Sequence, residues 1–170
     1  MTANTKEQII SALRSTGREN IENVIAYMER NSFYTAACSG HHRYEGGLAD
    51  HAWQVYQCVL EAEDENCKNK PNHKRLDDES MIICSILHDI CKCGGMRKIV
   101  GHGLRSVTIL AELGFHLSTE EYLAIRFHMS LKPHTHHPLY NDANHCHLRF
   151  ILHNADLKSA KMYKGSSPKV

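Results

Sequence analysis

Hydrophobic residues recur at helical spacing along almost the whole chain. The large aliphatic side chains stand three or four residues apart, which is the repeat of one face of an amphipathic α-helix. No alternating strand pattern of useful length interrupts them. The pattern predicts an all-α bundle of about seven helices, marked by residues 9–13, 21–28, 46–59, 77–93, 103–113, 118–129 and 146–161.

Local signals indicate where several helices begin and end. A Gly-Gly turn at 46–47 opens the third helix, which we expect to fray in the charged stretch 61–75. Acidic residues at 77–79 suit the positive end of the fourth helix dipole, and two glycines at 94–95 should end that helix. The sequence Ser-Thr-Glu-Glu at 118–121 has the spacing of a capping box, so it predicts the start of the sixth helix.

Length and composition favour a single domain with a small partner. A chain of 170 residues suits one domain spanning 1–170, with a frayed tail at 164–170. The formal net charge is +1 and the Lys and Arg residues are scattered, so no dedicated nucleic-acid surface is expected. Seven cysteines in irregular spacing favour reduced thiols over disulfides.

The sequence gives no signal for membrane insertion or export. No apolar stretch approaches the roughly 20 residues that cross a bilayer. The first residues also lack the basic and apolar regions of a signal peptide. We therefore expect a cytoplasmic protein without a membrane span.

The chemically most informative residues are His88 and Asp89, which are adjacent inside the apolar run 81–90. Burying an imidazole and a carboxylate without partners is costly, and a metal ion is a natural partner for both. Because neighbouring helical residues point about 100° apart, the pair can flank one ion, or the carboxylate can reach between two. Lys92, one turn further on, could contact a substrate phosphate or could simply interact with the helix dipole.

Four more segments, on separate predicted helices, carry the same kinds of side chain: His51, His102, His128 and Asp156. Histidine is the compositional outlier, with 14 residues in 170. Those between 134 and 147 lie in a Pro-bearing segment, where solvated loop side chains explain them. Imidazole and carboxylate ligands without thiolate fit a divalent manganese, iron, cobalt, nickel or zinc ion.

In order and spacing, these residues resemble the ligands of the HD-domain metal-dependent phosphohydrolase superfamily. Residues 46–51 are similar to the family's Gly-Gly-Leu-x-x-His, and residues 87–92 to its Leu-His-Asp-Ile-x-Lys. Residues 101–103 and 124–129 resemble the later His-bearing segments of small bacterial members. The resemblance covers about residues 41–161 and implies an HD-domain-like helical fold with a metal site in its core.

The resemblance also implies a ligand set for one or two ions. The first ion would be held by His51, His88, Asp89 and Asp156. Members with two further histidines commonly hold a second ion, which would here be bound by His102 and His128 together with a shared Asp89.

The activity that the resemblance implies is hydrolysis of a small phosphate ester, with a nucleotide as the expected substrate, by a phosphomonoesterase or phosphodiesterase. A hydroxide on the metal would attack phosphorus in line, and Lys92 would offset charge on the phosphoryl group. Further candidates for phosphate contacts, or else plain solvated cations, are Arg97, Arg105 and Arg126.

Other histidines could support such a site. His153, one turn before Asp156, could orient that carboxylate from behind. His41 and His42, just upstream of the Gly-Gly turn, could line the mouth of a pocket or could be ordinary surface residues.

Two other functions fit the same sequence. A regulatory module could bind a nucleotide at a retained metal site without turning it over. A structural zinc protein could instead use Cys91, Cys93, His145, Cys146 and His147, although their spacing lacks the usual two-residue gap between paired zinc ligands.

Overall fold

The computed structural model describes residues 3–38, 40–95, 101–129 and 138–162. These ranges contain only helices and loops, which confirms the predicted all-α architecture. The eight α-helices within them are α1 (Ala3–Ser15), α2 (Ile21–Arg30), α3 (Gly47–Asn69), α4 (Asp78–Leu87), α5 (His102–Glu112), α6 (Thr119–Arg126), α7 (Tyr140–His145) and α8 (His147–Met162). A 3₁₀ helix spans Ile90–Gly95, between α4 and α5.

Helix α3 occupies the middle of the bundle. It packs mainly against α8 and α4, while α6 packs against both α5 and α8. The aliphatic faces predicted from the sequence repeat point inward, because burying them removes apolar surface from water. The largest fully buried side chains are those of Phe33, Ile9, Leu13, Met28, Leu48, Met81, Ile83, Ile86, Leu87, Ile90, Leu110 and Ile125.

The predicted starts of α4 and α6 are confirmed at atomic detail. Asp77 caps α4 by accepting a hydrogen bond from the Ser80 N–H at 2.8 Å. Ser118 caps α6, and its side chain and that of Glu121 form both hydrogen bonds of the capping box. These interactions involve residues three positions apart, so the sequence was sufficient to predict them.

The predicted fraying of α3 from residue 61 was wrong. The helix continues to Asn69, because Glu63 faces the interior and is fully buried. The N–H of Lys70 bonds to the Asn66 carbonyl at 3.0 Å and closes the last turn. Long-range burial thus keeps a charged stretch helical.

The structure also differs from the sequence prediction at the end of α4 and at α7. Helix α4 ends at Leu87, and non-helical backbone at Cys93 and Gly94 breaks the following 3₁₀ segment. The short helix α7 lies in a stretch expected to be a loop. The expected tail 164–170, Arg97 and the histidines at 134, 136 and 137 lie outside the described residues.

A buried ion pair connects the α1–α2 loop to α6. Arg18 donates to Oε1 and Oε2 of Glu121 at 2.8 and 3.1 Å. The Ser80 hydroxyl donates to Oε1 at 2.9 Å, and the Ser118 N–H donates to Oε2 at 2.8 Å. Glu121 is fully buried, yet each of its carboxylate oxygens accepts two hydrogen bonds.

All seven cysteine thiols are free in the structure. Within the described ranges, no helix combines the length and apolar character that crossing a membrane requires.

Candidate metal centre

The predicted ligand side chains meet in the interior of the bundle, although they come from five separate parts of the chain. His51 lies in α3 and Asp156 in α8, while His102 is the first residue of α5. His88 and Asp89 follow the last residue of α4. The last member, His128, follows α6 by two residues.

The carboxylate of Asp89 lies at the centre of this group. Its Oδ2 is 3.4 Å from Nε2 of His88 and 3.9 Å from Nε2 of His51. Its Oδ1 is 3.6 Å from Nε2 of His102 and 3.8 Å from Nε2 of His128. The two oxygens of one carboxylate therefore face two different pairs of imidazoles.

Among the predicted ligands, three overlapping groups of side chains have ligand atoms within 4.8 Å of one another. They are His51, His88 and Asp89; His88, His128 and Asp156; and Asp89, His102 and His128. Asp156 extends the first group, since its Oδ1 lies 3.2 Å from Nε2 of His51. The buried His and Asp residues could accordingly hold a metal ion.

Backbone carbonyls orient two of the imidazoles. Nδ1 of His88 donates to the Ser85 carbonyl at 2.9 Å, and Nδ1 of His128 donates to the Ile125 carbonyl at 2.8 Å. Because a carbonyl can only accept, each Nδ1 carries a proton and each Nε2 faces the cluster. This is the usual arrangement of a histidine that binds a metal.

Two consecutive side-chain hydrogen bonds, through Ser159 and Gln54, orient His51 in the same way. Its Nδ1 lies 3.0 Å from Oγ of Ser159, whose hydroxyl donates to Oε1 of Gln54 at 3.3 Å. Since the serine hydroxyl proton is committed to Gln54, its oxygen accepts from Nδ1 of His51. Nε2 of His51 is then left with a lone pair toward Asp89 and Asp156.

Several buried polar atoms of the cluster have no hydrogen-bond partner. They are Nε2 of His51, Nε2 of His88 and Oδ1 of Asp89. All three residues are at most 1 % exposed. Unsatisfied buried donors and acceptors are rare in proteins, so their convergence on one place calls for a ligand. Their chemistry, nitrogen and oxygen without sulfur, fits a divalent transition-metal ion.

The charges of the cluster also suit a cation. Burial raises the pKa of Asp89, but the charges of His88 and Lys92 outweigh it and hold that pKa well below its usual range. Burial lowers the pKa of His128 to about 3, so its imidazole is neutral near pH 7. Burial raises the pKa of Asp156 too, but the neighbouring His51 and His88 outweigh it and hold that pKa below its usual range. Two carboxylates and a neutral imidazole thus face one another.

Two glycines allow this close approach. A Cβ on Gly103 would lie 2.5 Å from the carbonyl oxygen of Arg126, so α5 can begin against the end of α6 only with glycine there. The contact brings Nε2 of His102 within 2.9 Å of Nε2 of His128. A Cβ on Gly47 would similarly lie 2.0 Å from the His42 carbonyl oxygen.

The Gly47 contact places two further histidines over the cluster. The ring centroid of His41 is 4.5 Å from that of His51, and its Nδ1 is 2.9 Å from Nδ1 of His42. His42 is fully buried and bonds through Nε2 to Gln54 at 2.9 Å. His41 is half-buried, and burial lowers its pKa to about 4. The pair lies beside the cluster, and His42 is an interior residue.

The predicted phosphate-binding cations are distributed unevenly around the cluster. Lys92 contacts Oδ2 of Asp89 directly, and 23 % of its side chain is exposed. Arg105 is exposed on α5, and Arg126 stacks on the Phe127 ring at 4.9 Å. Among the described contacts, neither guanidinium bonds to a member of the cluster.

His153 occupies a different position from the one expected. Its Nδ1 donates to the backbone carbonyl of His128 at 2.6 Å. This hydrogen bond holds the backbone at His128, whereas the sequence predicted that His153 would orient the carboxylate of Asp156. The residue that supports the α8 side of the cluster is Ser159. The sequence carried a signal for it, because Ser159 lies three residues after Asp156 and therefore on the same helix face.

The alternative zinc set does not come together. Cys91 contacts the His102 carbonyl at 3.3 Å, whereas Cys146 contacts the Glu120 carbonyl at 3.6 Å. His145 bonds to the Asn141 carbonyl within its own helix. His147 instead faces Glu63, at 3.5 Å.

No protein-family model, curated protein or solved structure matches this chain. What the fold and the site define is an all-α protein whose buried His and Asp residues could hold a metal ion.

Proposed function

We propose that this protein is a metal-dependent phosphohydrolase that cleaves a small phosphate ester, with a nucleotide as the expected substrate. The observation that carries the proposal is the position of Asp89, whose two oxygens face two pairs of imidazoles amid unpartnered buried atoms. The order and spacing of these residues along the chain, which resemble the HD-domain superfamily, support the same function.

The residues divide into two ligand groups that share one carboxylate. His51, His88, Asp89 and Asp156 would hold one ion, and Asp89, His102 and His128 a second. Bound manganese, iron, cobalt, nickel or zinc would polarise the phosphoryl group and lower the pKa of a water molecule.

Lys92 is the cation best placed to act on the substrate. Its ammonium group contacts Asp89 and is partly exposed, so it can reach a phosphoryl oxygen without leaving the cluster. Burial lowers the pKa of Lys92, but Asp89 outweighs burial and raises it, so the side chain stays charged at neutral pH. A fixed positive charge there would stabilise charge that develops in the transition state.

The neutral imidazole of His41 would border the substrate on the α3 side. It is half-buried and stacks near His51, while His42 is held in place by Gln54. Arg105 and Arg126 remain candidates for contacts with outer parts of a substrate.

Metal analysis and a substrate panel test the proposal together. Protein purified without chelator should contain about two more ions per chain than Asp89→Asn, which loses those around Asp89, and His128→Gln should contain one ion fewer than the unmodified protein. A panel of phosphomonoesters and phosphodiesters with added manganese should reveal turnover of at least one nucleotide. A firm difference of one ion between the unmodified protein and Asp89→Asn would remove His102 and His128 from the site. Tight nucleotide binding without hydrolysis would contradict an enzyme and favour a regulatory module.

A further inference from the structure

A second group of metal-ligand side chains lies at the other end of α3. Glu63 is twelve residues after His51, which is about 18 Å along the helix axis. Cys67 is one turn further on the same face of α3, and His73 belongs to the following loop. His147, the first residue of α8, completes the group. We call these residues the distal cluster.

Glu63 is the centre of the distal cluster and is fully buried. Its Oε1 accepts hydrogen bonds from the Leu76 N–H at 2.7 Å and from His73 Nε2 at 2.8 Å. Its Oε2 is buried without a hydrogen-bond partner. Burial raises the pKa of Glu63, but the Leu76 N–H and His73 outweigh it and lower that pKa, so the side chain is a carboxylate.

A second unpartnered atom points at the same oxygen. Nε2 of His147 is buried without a hydrogen-bond partner and lies 3.5 Å from Oε2 of Glu63. The rings of His73 and His147 meet edge to face, with centroids 5.0 Å apart. Two imidazole nitrogens and both carboxylate oxygens therefore converge on one place. His73 satisfies Oε1 with a hydrogen bond, whereas His147 Nε2 and Glu63 Oε2 are 3.5 Å apart and make no hydrogen bond, which a ligand between them would satisfy.

A thiol completes a metal-binding donor set. The ligand atoms of Glu63, Cys67 and His73 all lie within 4.8 Å of one another. The guanidinium of Arg75 interacts with the Cys67 thiol. His73 also lines an open surface depression formed by residues 69–73, which gives an ion access from solvent.

From this geometry we infer that Glu63, Cys67, His73 and His147 form a separate zinc-class site. One carboxylate oxygen, one thiolate and two imidazole nitrogens make four ligands, the number that structural zinc sites use. Ligand atoms around tetrahedral zinc are about 3.3–3.7 Å apart, since the bonds are about 2.0–2.3 Å long. Cys67 and His147 are partly exposed, so a bound ion can draw their side chains toward that spacing. The ion would join the end of α3 to the loop and to α8.

Cobalt(II) binding to the full-length protein tests the site directly. A thiolate ligand gives cobalt an intense near-ultraviolet charge-transfer band. The predicted ligands around Asp89, which we call the central cluster, offer only nitrogen and oxygen and cannot give that band. We expect the band to saturate at about one ion per chain, to disappear in Cys67→Ser and to need at least tenfold more cobalt in His73→Gln. Both positions are partly exposed, so these variants should fold. No band, or a band that survives Cys67→Ser, would overturn the site.

Two controls separate this site from the proposed active site. Asp89→Asn should keep the band even though it disrupts the central cluster, and so should Cys91→Ser, whose thiol lies two residues after Asp89. Loss of the band in Cys91→Ser would place the thiolate elsewhere and contradict the inference. In the Asp89→Asn background, zinc at 100-fold its dissociation constant should raise the Tm by about 5–10 °C, and the added Cys67→Ser should abolish that shift.

Discussion

Two fully buried carboxylates of this bundle, those of Glu121 and Asp89, have opposite kinds of surroundings. Each oxygen of Glu121 accepts two hydrogen bonds, from Arg18 and from Ser80 or Ser118. Asp89 contacts Lys92 through Oδ2, but its Oδ1 is unpartnered, and so are the nearby Nε2 atoms of His51 and His88. The first set of contacts is complete without a ligand, and the second is not.

The two carboxylates cannot be told apart by their acidity. Both have a pKa below the usual range, Glu121 through Arg18 and the Ser118 N–H, and Asp89 through His88 and Lys92, in each case against the opposing effect of burial. The completeness of hydrogen bonding is what distinguishes a structural carboxylate from one available to a ligand. The same criterion selects Glu63, whose Oε2 is unpartnered.

The largest expected effect is on catalysis, and it should follow replacement of Asp89. A bound ion contributes several kcal/mol of transition-state stabilisation, and each ~1.4 kcal/mol is tenfold in rate, so Asp89→Asn should lower kcat/KM by roughly 10³-fold or more. The same variant should lose metal from the central cluster. Steady-state kinetics with metal analysis checks this. Full activity in Asp89→Asn would exclude Asp89 from the site.

Replacing Glu121 should affect the stability of the fold, whereas replacing Asp89 should affect catalysis. Glu121→Gln leaves Arg18 facing a neutral group and breaks a buried pair, so we expect the free energy of unfolding to fall by about 3 kcal/mol. The matched control is Glu22→Gln, because Glu22 pairs with Arg14 at 2.7 Å but both side chains are more than half exposed. That control should lose far less stability, because water screens an exposed ion pair. Urea unfolding measures both, and equal losses would remove the distinction between the pairs.

A pair of serine substitutions probes the supporting hydrogen bonds. Ser159→Ala removes the acceptor that orients His51, so metal affinity should fall by about 10- to 100-fold. Ser80→Ala removes one hydrogen bond to Glu121 and should leave metal affinity unchanged while lowering stability by about 1 kcal/mol. Titration calorimetry and urea unfolding give both quantities for each variant. Unchanged affinity in Ser159→Ala would mean that His51 needs no such support.

The smallest effect concerns acid stability. The folded-state pKa of Glu121 is lowered from 4.5, so its ion pair contributes stability above about pH 4.5 that is lost as the pH falls through the lowered value. As the pH falls from 5 to 3 at constant salt concentration, the free energy of unfolding should therefore fall less in Glu121→Gln than in the unmodified protein. Unfolding free energies measured across that range test the sign, and parallel profiles would contradict it.

Sequence-based prediction succeeded where the controlling interactions are local. The aliphatic repeat predicted the helices, and the caps at Asp77 and Ser118 act across three residues. It failed at the end of α3, because the helical state there depends on burial of Glu63 against Leu76 and His73, which no local rule expresses.

The amino-acid sequence alone dictates which residue types must find partners inside the protein. An imidazole and a carboxylate in an apolar run at 88–89 require partners wherever the chain folds, because burying them alone is too costly. Which side chains meet depends on the tertiary structure, since helix packing at Gly47 and Gly103 sets the approach of distant segments. It also decided which nitrogen faces inward, because the carbonyls and hydroxyls that hold each Nδ1 are positioned by the fold.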